Sequence, residues 1–126
     1  MKITAIVIEH DKQRYPTAGD WMFDEKHNLV VSVSRLNSLV GETRRYCHFL
    51  IAIHEMIEAY LCTANGVTEK EVTDWDKAHL DAPEPGAILG CPYYKEHLIA
   101  SLIEHILANE LEIDWEEYEE AIEACL

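Results

Sequence analysis

Tyr46-Cys47-His48-Phe49-Leu50-Ile51-Ala52-Ile53-His54-Glu55-Met56-Ile57-Glu58-Ala59-Tyr60-Leu61 reads as one long apolar helix broken by a single polar stripe. At 3.6 residues per turn, His54 and Glu58 lie about 40° apart in projection, with Glu55 about 100° to the side of His54. Apolar side chains cover nearly every other direction, which predicts a helix buried all round. An unpaired carboxylate taken out of water is costly and changes its pKa instead. Two carboxylates and an imidazole on such a helix therefore imply cations, a metal ion or a water-filled cleft.

Upstream of this helix the period changes from helical to two. Lys2 to Glu9 and Asn28 to Leu36 are rich in β-branched residues and read as strands, Trp21-Met22-Phe23 as a short third strand, and Asp24 to Asn28 as a polar turn. A small antiparallel sheet is expected. The long helix starts at Asn37-Ser38 or around Gly41-Glu42-Thr43, runs to about Ala64 and stops at Asn65-Gly66. Thr68 and Glu71 form a capping-box pair, with Val67 and Val72 as staple, for a second helix over about Glu69 to Leu80. Asp81 to Gly86 forces a loop. Pro92 opens a third helix reaching about Leu111, and Ile113, Asp114, Glu117 and Tyr118 repeat the box and staple for a short fourth. The expectation is a single α+β domain over 1–126, with residues 1–37 mainly strands and 38–126 a bundle of about four helices.

The third helix repeats the oddity of the first. It is apolar nearly all round, yet His97 and Glu104 fall about 20° apart, and Ala100, Ser101 and Ala108 share their face. Small side chains let another helix come close, as a site assembled between two packed helices requires. Imidazole nitrogen and carboxylate oxygen both bind zinc at about 2.0–2.2 Å, and three such ligands leave a position for water. His54, Glu58 and His97 are the candidate ligands. Glu104 is the alternative or fourth ligand, or the acceptor that orients an imidazole. Glu55, rotated off the metal axis, is the candidate general base. This is the logic of the His-Glu-x-x-His zinc helix with Glu58 in place of the second histidine. The extra carboxylate shifts preference toward manganese or iron, so zinc leads with those two as alternatives. A buried network in which each histidine donates to a glutamate explains the same residues without metal. Asp76 and His79 read first as solvated or capping residues that could line the same cleft, and His105 as a packing histidine. His10, His27 and His48 carry no usable spacing.

The sequence has 126 residues and 24 acidic against 10 basic side chains, a formal net charge of -14. Repulsion disfavours nucleic acid and anionic membranes, and a cation or basic partner fits better. The acidic run after Glu110 reads as a solvated helix face. No apolar run reaches the roughly 20 residues that span a bilayer, and the start lacks a signal-peptide pattern, so a cytosolic location is expected. Cys47, Cys62, Cys91 and Cys125 show no Cys-x-x-Cys spacing and read as small core residues, with Cys47 and Cys62 near enough to the His54 stripe for a thiolate ligand.

The segments His54-Glu55-Met56-Ile57-Glu58-Ala59, Trp75-Asp76-x-x-His79 and Pro92-Tyr93-Tyr94-x-Glu96-His97-x-x-Ala100-x-x-Ile103-Glu104, with the Tyr15-Pro16-Thr17-x-Gly19-Asp20-Trp21 opening, resemble small proteins of tailed phages and prophages. The resemblance covers most of the chain, implies a phage or bacterial cytosolic setting and brings no activity with it. The order of sheet, His-Glu helix and later ligand-bearing helix is similar to a minimal zincin by fold-level analogy alone. The leading expectation is a metal-dependent hydrolase acting on a small molecule or peptide. A metal-stabilised or metal-free interaction protein, binding for instance a host protein, is the second. The third is a magnesium-dependent nucleotide pyrophosphohydrolase, whose paired acids Glu55 and Glu58 resemble in part.

Overall fold

Three strands and four helices follow in chain order: β1 (Ile3–Ile8), β2 (Gly19–Phe23), β3 (Leu29–Ser34), α1 (Gly41–Ala64), α2 (Glu69–Ala78), α3 (Tyr94–Glu110) and α4 (Trp115–Cys125). The computed structural model describes every residue from Met1 to Leu126. The class is α+β, with a small sheet packed against helices, as the patterning predicts.

The sheet is mixed rather than antiparallel. Its order is β1-β3-β2. β2 and β3 form the expected hairpin, with Trp21 opposite Val31, closed by a turn in which Asp24 accepts the backbone N–H groups of Lys26 and Asn28. β1 instead pairs in parallel with β3, Ile3 opposite Leu29 through Ile8 opposite Ser34. Parallel neighbours cannot be joined by a tight turn, so the segment after β1 must cross to the far edge before β2 begins. That crossing carries Tyr15, Thr17 and Ala18 over the end of the sheet, where they line the cavity described below. Leu29, Val31 and Val33 alternate inward on β3 and are fully covered, with Trp21 beside them. β1 is an open edge on which Ile3, Ile6 and Val7 remain exposed.

The helix ends follow their local signals. Gly66, at φ 77, closes α1 in a Schellman motif: Val67 N–H donates to Cys62 O at 2.9 Å and Gly66 N–H to Thr63 O at 3.3 Å. The Thr68–Glu71 capping box of α2 is complete, and Asp114 accepts from Glu117 N–H at the start of α4. α3 ends in the same Schellman pattern with Glu112, a non-glycine, at φ 56. α2 stops at Ala78, two residues short of the expectation, because His79 leaves helical geometry and its ring bonds back to Trp75 O.

Neither long helix is buried all round. α1 covers Cys47, Leu50, Ile51, His54, Glu58, Ala59 and Cys62 but leaves Tyr46 and Phe49 exposed. α3 covers only Glu96, Ala100, Glu104 and Ala108, an i, i+4 stripe of small and acidic residues, while Leu98, Leu102 and Ile106 face outward. Three strands and four helices supply too few layers to enclose both faces of each helix. The small stripe of α3 packs on α1, and one continuous core runs from β2 and β3 through α1 to Tyr118 and Ala121 on α4. No helix is long and apolar enough to cross a membrane.

Candidate metal centre

The polar stripes of α1 and α3 meet. His54 Nε2 lies 3.2 Å from Glu58 Oε2 and 3.2 Å from His97 Nδ1, and His97 Nδ1 lies 3.1 Å from the same Glu58 oxygen. The three atoms form a nearly equilateral triangle. A tetrahedral zinc ion with bonds of about 2.0–2.1 Å would place its ligands about 3.3 Å apart, and octahedral coordination at similar bond lengths about 3.0 Å. The observed edges fall between, so the triangle fits either ion type without movement of α1 against α3.

Each corner is held from behind. His54 Nδ1 lies 2.7 Å from Glu104 Oε1, and the other Glu104 oxygen accepts the Tyr118 hydroxyl at 2.6 Å. With Nδ1–H donated to Glu104, the Nε2 lone pair points into the triangle. His97 Nε2 lies 3.2 Å from Glu84 Oε1, an exposed loop carboxylate, and donating there leaves Nδ1 bare. Glu58 Oε1 accepts the indole N–H of Trp21 at 3.1 Å, which leaves Oε2 for the centre. A carboxylate behind each ring is the arrangement that fixes metal-binding imidazoles. Three lone pairs converging in a buried space would repel one another, and either a metal ion among them or protons on the two rings, donated to Glu58, relieve that repulsion.

Without a metal, protons meet that need. Burial disfavours the charged rings, but hydrogen bonds to Glu104 and Glu58 outweigh it at His54, whose pKa rises well above 6.5. At His97, hydrogen bonds to Glu58 and Glu84 do the same and lift it to about 9. Burial pushes the Glu58 carboxyl up, yet the two imidazoles hold it down to about 2. Glu55 differs. Burial and repulsion from Glu58 raise it well above the carboxylate range, and no hydrogen bond relieves it. It lines the cavity of about 310 Å³ onto which the triangle opens.

Two glycines make the geometry possible. A Cβ on Gly19 of β2 would sit 2.6 Å from Glu55 Oε1, and one on Gly86 would sit 2.5 Å from His97 Cγ and 2.6 Å from Nδ1. Each brings backbone against a site side chain at a distance no other residue allows.

Of the residues predicted from sequence, His54, Glu58 and His97 come together as the cluster able to hold a metal ion. Glu104 backs His54 rather than joining the triangle. Glu55 lies on the wall of the shared cavity. Asp76, read as solvated or capping, instead lines that cavity and accepts the hydroxyls of Tyr15, at 2.8 Å, and Tyr93. His79 stacks on Trp75 and His105 on Trp115, both away from the triangle. His48 accepts Leu36 N–H at the start of the helical region. Cys47, Cys62 and Cys91 are buried and Cys125 partly so, all as free thiols. Burial lifts Cys47 and Cys91 to about 11 and Cys62 higher still, and none of them belongs to the cluster. Sequence reasoning missed Glu84, Trp21 and Tyr118 as supports. Trp21 and Tyr118 are polar-tipped aromatics in apolar settings, which when buried need a partner, and that was the available signal. Glu84, in a Pro/Gly loop, offered none.

No family model, curated protein or solved structure matches the chain.

Proposed function

We propose that the protein is a mononuclear metal-dependent hydrolase, with zinc as the first expectation and manganese or iron as alternatives. His54 Nε2, Glu58 Oε2 and His97 Nδ1 are its ligands. The observation that carries this reading is the triangle of donor atoms with 3.1–3.2 Å edges, each backed by a separate partner. Glu104, the one further candidate ligand, is engaged by His54 and Tyr118, so three ligands remain. Three protein ligands and an open position are the catalytic pattern; a closed shell of four would favour a structural role.

A divalent ion at this position would lower the pKa of a water in its open position and polarise an acyl oxygen. The chain supplies the rest. Glu55 on the cavity wall, its ionised form favoured once a divalent ion sits beside it, would take a proton as the water oxygen bonds to the acyl carbon. It returns that proton to the leaving amine or alcohol as the C–N or C–O bond breaks. Glu104 and Glu84 keep the imidazoles in the binding tautomer, and Trp21 holds the Glu58 carboxylate in one rotamer. A cytosolic setting in phage or bacterium belongs to the same proposal.

The test is elemental analysis of protein made without a polyhistidine tag. One equivalent of metal in the wild type, lost in both His54→Ala and His97→Ala, is the expected result. Glu55→Gln should retain the metal and lose turnover of model esters and amides. Metal-free wild type after growth in metal-replete medium would reduce the cluster to a packing network, and an active Glu55→Gln would remove the base assignment.

A further inference from the structure

The wall of the cavity over the triangle is acidic. Besides the acids of the centre, its wall includes Asp20, Glu55, Glu69 and Asp76, and it contains no lysine or arginine. The second cavity, about 340 Å³ on the other side of His97, also contains none. These carboxylates are not equivalent. Asp20 is neutralised by a bidentate pair with Arg14 at 2.7 and 2.9 Å. Glu69 accepts Phe23 N–H at 3.3 Å and has Arg14 at 3.8 Å. Asp76 has no cation. It is held by one tyrosine hydroxyl on each oxygen, which orients the carboxylate but leaves its charge and remaining lone pairs uncompensated. Burial raises its pKa in consequence.

We propose that the substrate carries a primary ammonium or guanidinium group, which Asp76 binds between Tyr15 and Tyr93 while the scissile bond lies at the His54–Glu58–His97 triangle. This inference rests on the metal reading above and adds a substrate class to it: an amide, ester or peptide with a basic arm. Aromatic walls favour the same ligand, since Tyr15, Tyr93 and Trp21 line the cavity and aromatic faces attract cations. The chain's net charge of -14 attracts cations and repels anions at long range. Phosphate esters and nucleotides would meet these carboxylates with no lysine or arginine on the cavity wall to offset them.

The test uses three hydroxamates of matched length on zinc-loaded protein whose zinc content has been measured: 6-aminohexanohydroxamate, hexanohydroxamate and the monohydroxamate of adipic acid. Calorimetric titration should rank them cationic, neutral, anionic, with the first about tenfold tighter than the second, as a close and partly desolvated charge pair allows. Asp76→Asn should erase most of that preference and shift the three affinities together. Equal affinities, or tightest binding of the anionic probe, in protein holding one zinc would overturn the basic-substrate inference and leave the metal site intact. Absence of zinc uptake would instead sink the metal reading and this inference with it. Should Asp76→Asn fail to fold, the wild-type ranking alone decides.

Discussion

Gly86→Ala isolates the steric logic of the centre. Gly86 has no left-handed φ, so alanine meets no backbone strain there, but its Cβ would stand 2.5 Å from His97 Cγ and 2.6 Å from Nδ1, where ordinary contact begins at 3.4 Å. The imidazole must retreat by about 0.8–0.9 Å, roughly four times the ±0.2 Å within which metal–ligand distances are held. The added carbon would also stand 2.8 Å from Tyr93 Cε2, so it cannot move toward that ring to spare the imidazole. Zinc affinity should therefore fall by more than the roughly 10–100-fold that loss of an orienting partner costs, and overpacking should destabilise the metal-free protein by about 1–3 kcal/mol. Gly90→Ala is the control. Its φ of 96 makes alanine strained, yet nothing lies within 4 Å of the added carbon, so it should lower stability and leave zinc affinity unchanged. Competition against a chromophoric zinc chelator, with thermal denaturation of each metal-free variant, measures both quantities. Zinc binding by Gly86→Ala within about twofold of wild type, less than 0.5 kcal/mol, would refute the argument that His97 is held in place by this backbone approach.

Gly19→Ala presses on Glu55 rather than on a ligand, since its Cβ would meet Oε1 at 2.6 Å and Ile51 Cγ2 at 2.7 Å; it should keep stoichiometric zinc and lose hydrolysis, and normal turnover in zinc-replete protein would contradict Glu55 as base. Glu104→Gln keeps an acceptor for either Tyr118 or His54 but removes the charge behind the ring, so zinc affinity should drop by about 10–100-fold, with unchanged affinity showing that His54 needs no carboxylate. Metal-free protein should be most stable between about pH 4.5 and 6.5. The His97 contribution, with its pKa raised from 6.5 to about 9, is complete below 6.5 and lost as pH rises through 9. The Glu58 contribution, with its pKa lowered from 4.5 to about 2, is present above 4.5 and lost as pH falls toward 2. Zinc should reverse the alkaline limb, because the ligands bind it deprotonated; urea denaturation from pH 4 to 10 with and without zinc checks this, and a flat metal-free profile from 6.5 to 9.5 would contradict the pairing.

Sequence alone determined the elements whose cause is local. Capping at Thr68 and Asp114, the Gly66 stop and the period-two strands are decided within a few residues, and the structure has them. His54, Glu58 and His97 were legible because charged groups among apolar neighbours demand an explanation that spacing along a helix supplies. Tertiary structure decided what depends on distant contacts. Whether β1 pairs parallel or antiparallel depends on which edge the chain reaches, and alternation of side chains is the same in both. The face of α3 that meets α1 was legible from Ala100 and Ala108, whose small side chains let two backbones come near, but that Leu98, Leu102 and Ile106 stay uncovered depended on how few layers pack around the helix. The supporting shell of Trp21, Glu84 and Tyr118 comes from three separate elements, and a hydrogen bond between residues dozens of positions apart leaves no periodic trace in the chain.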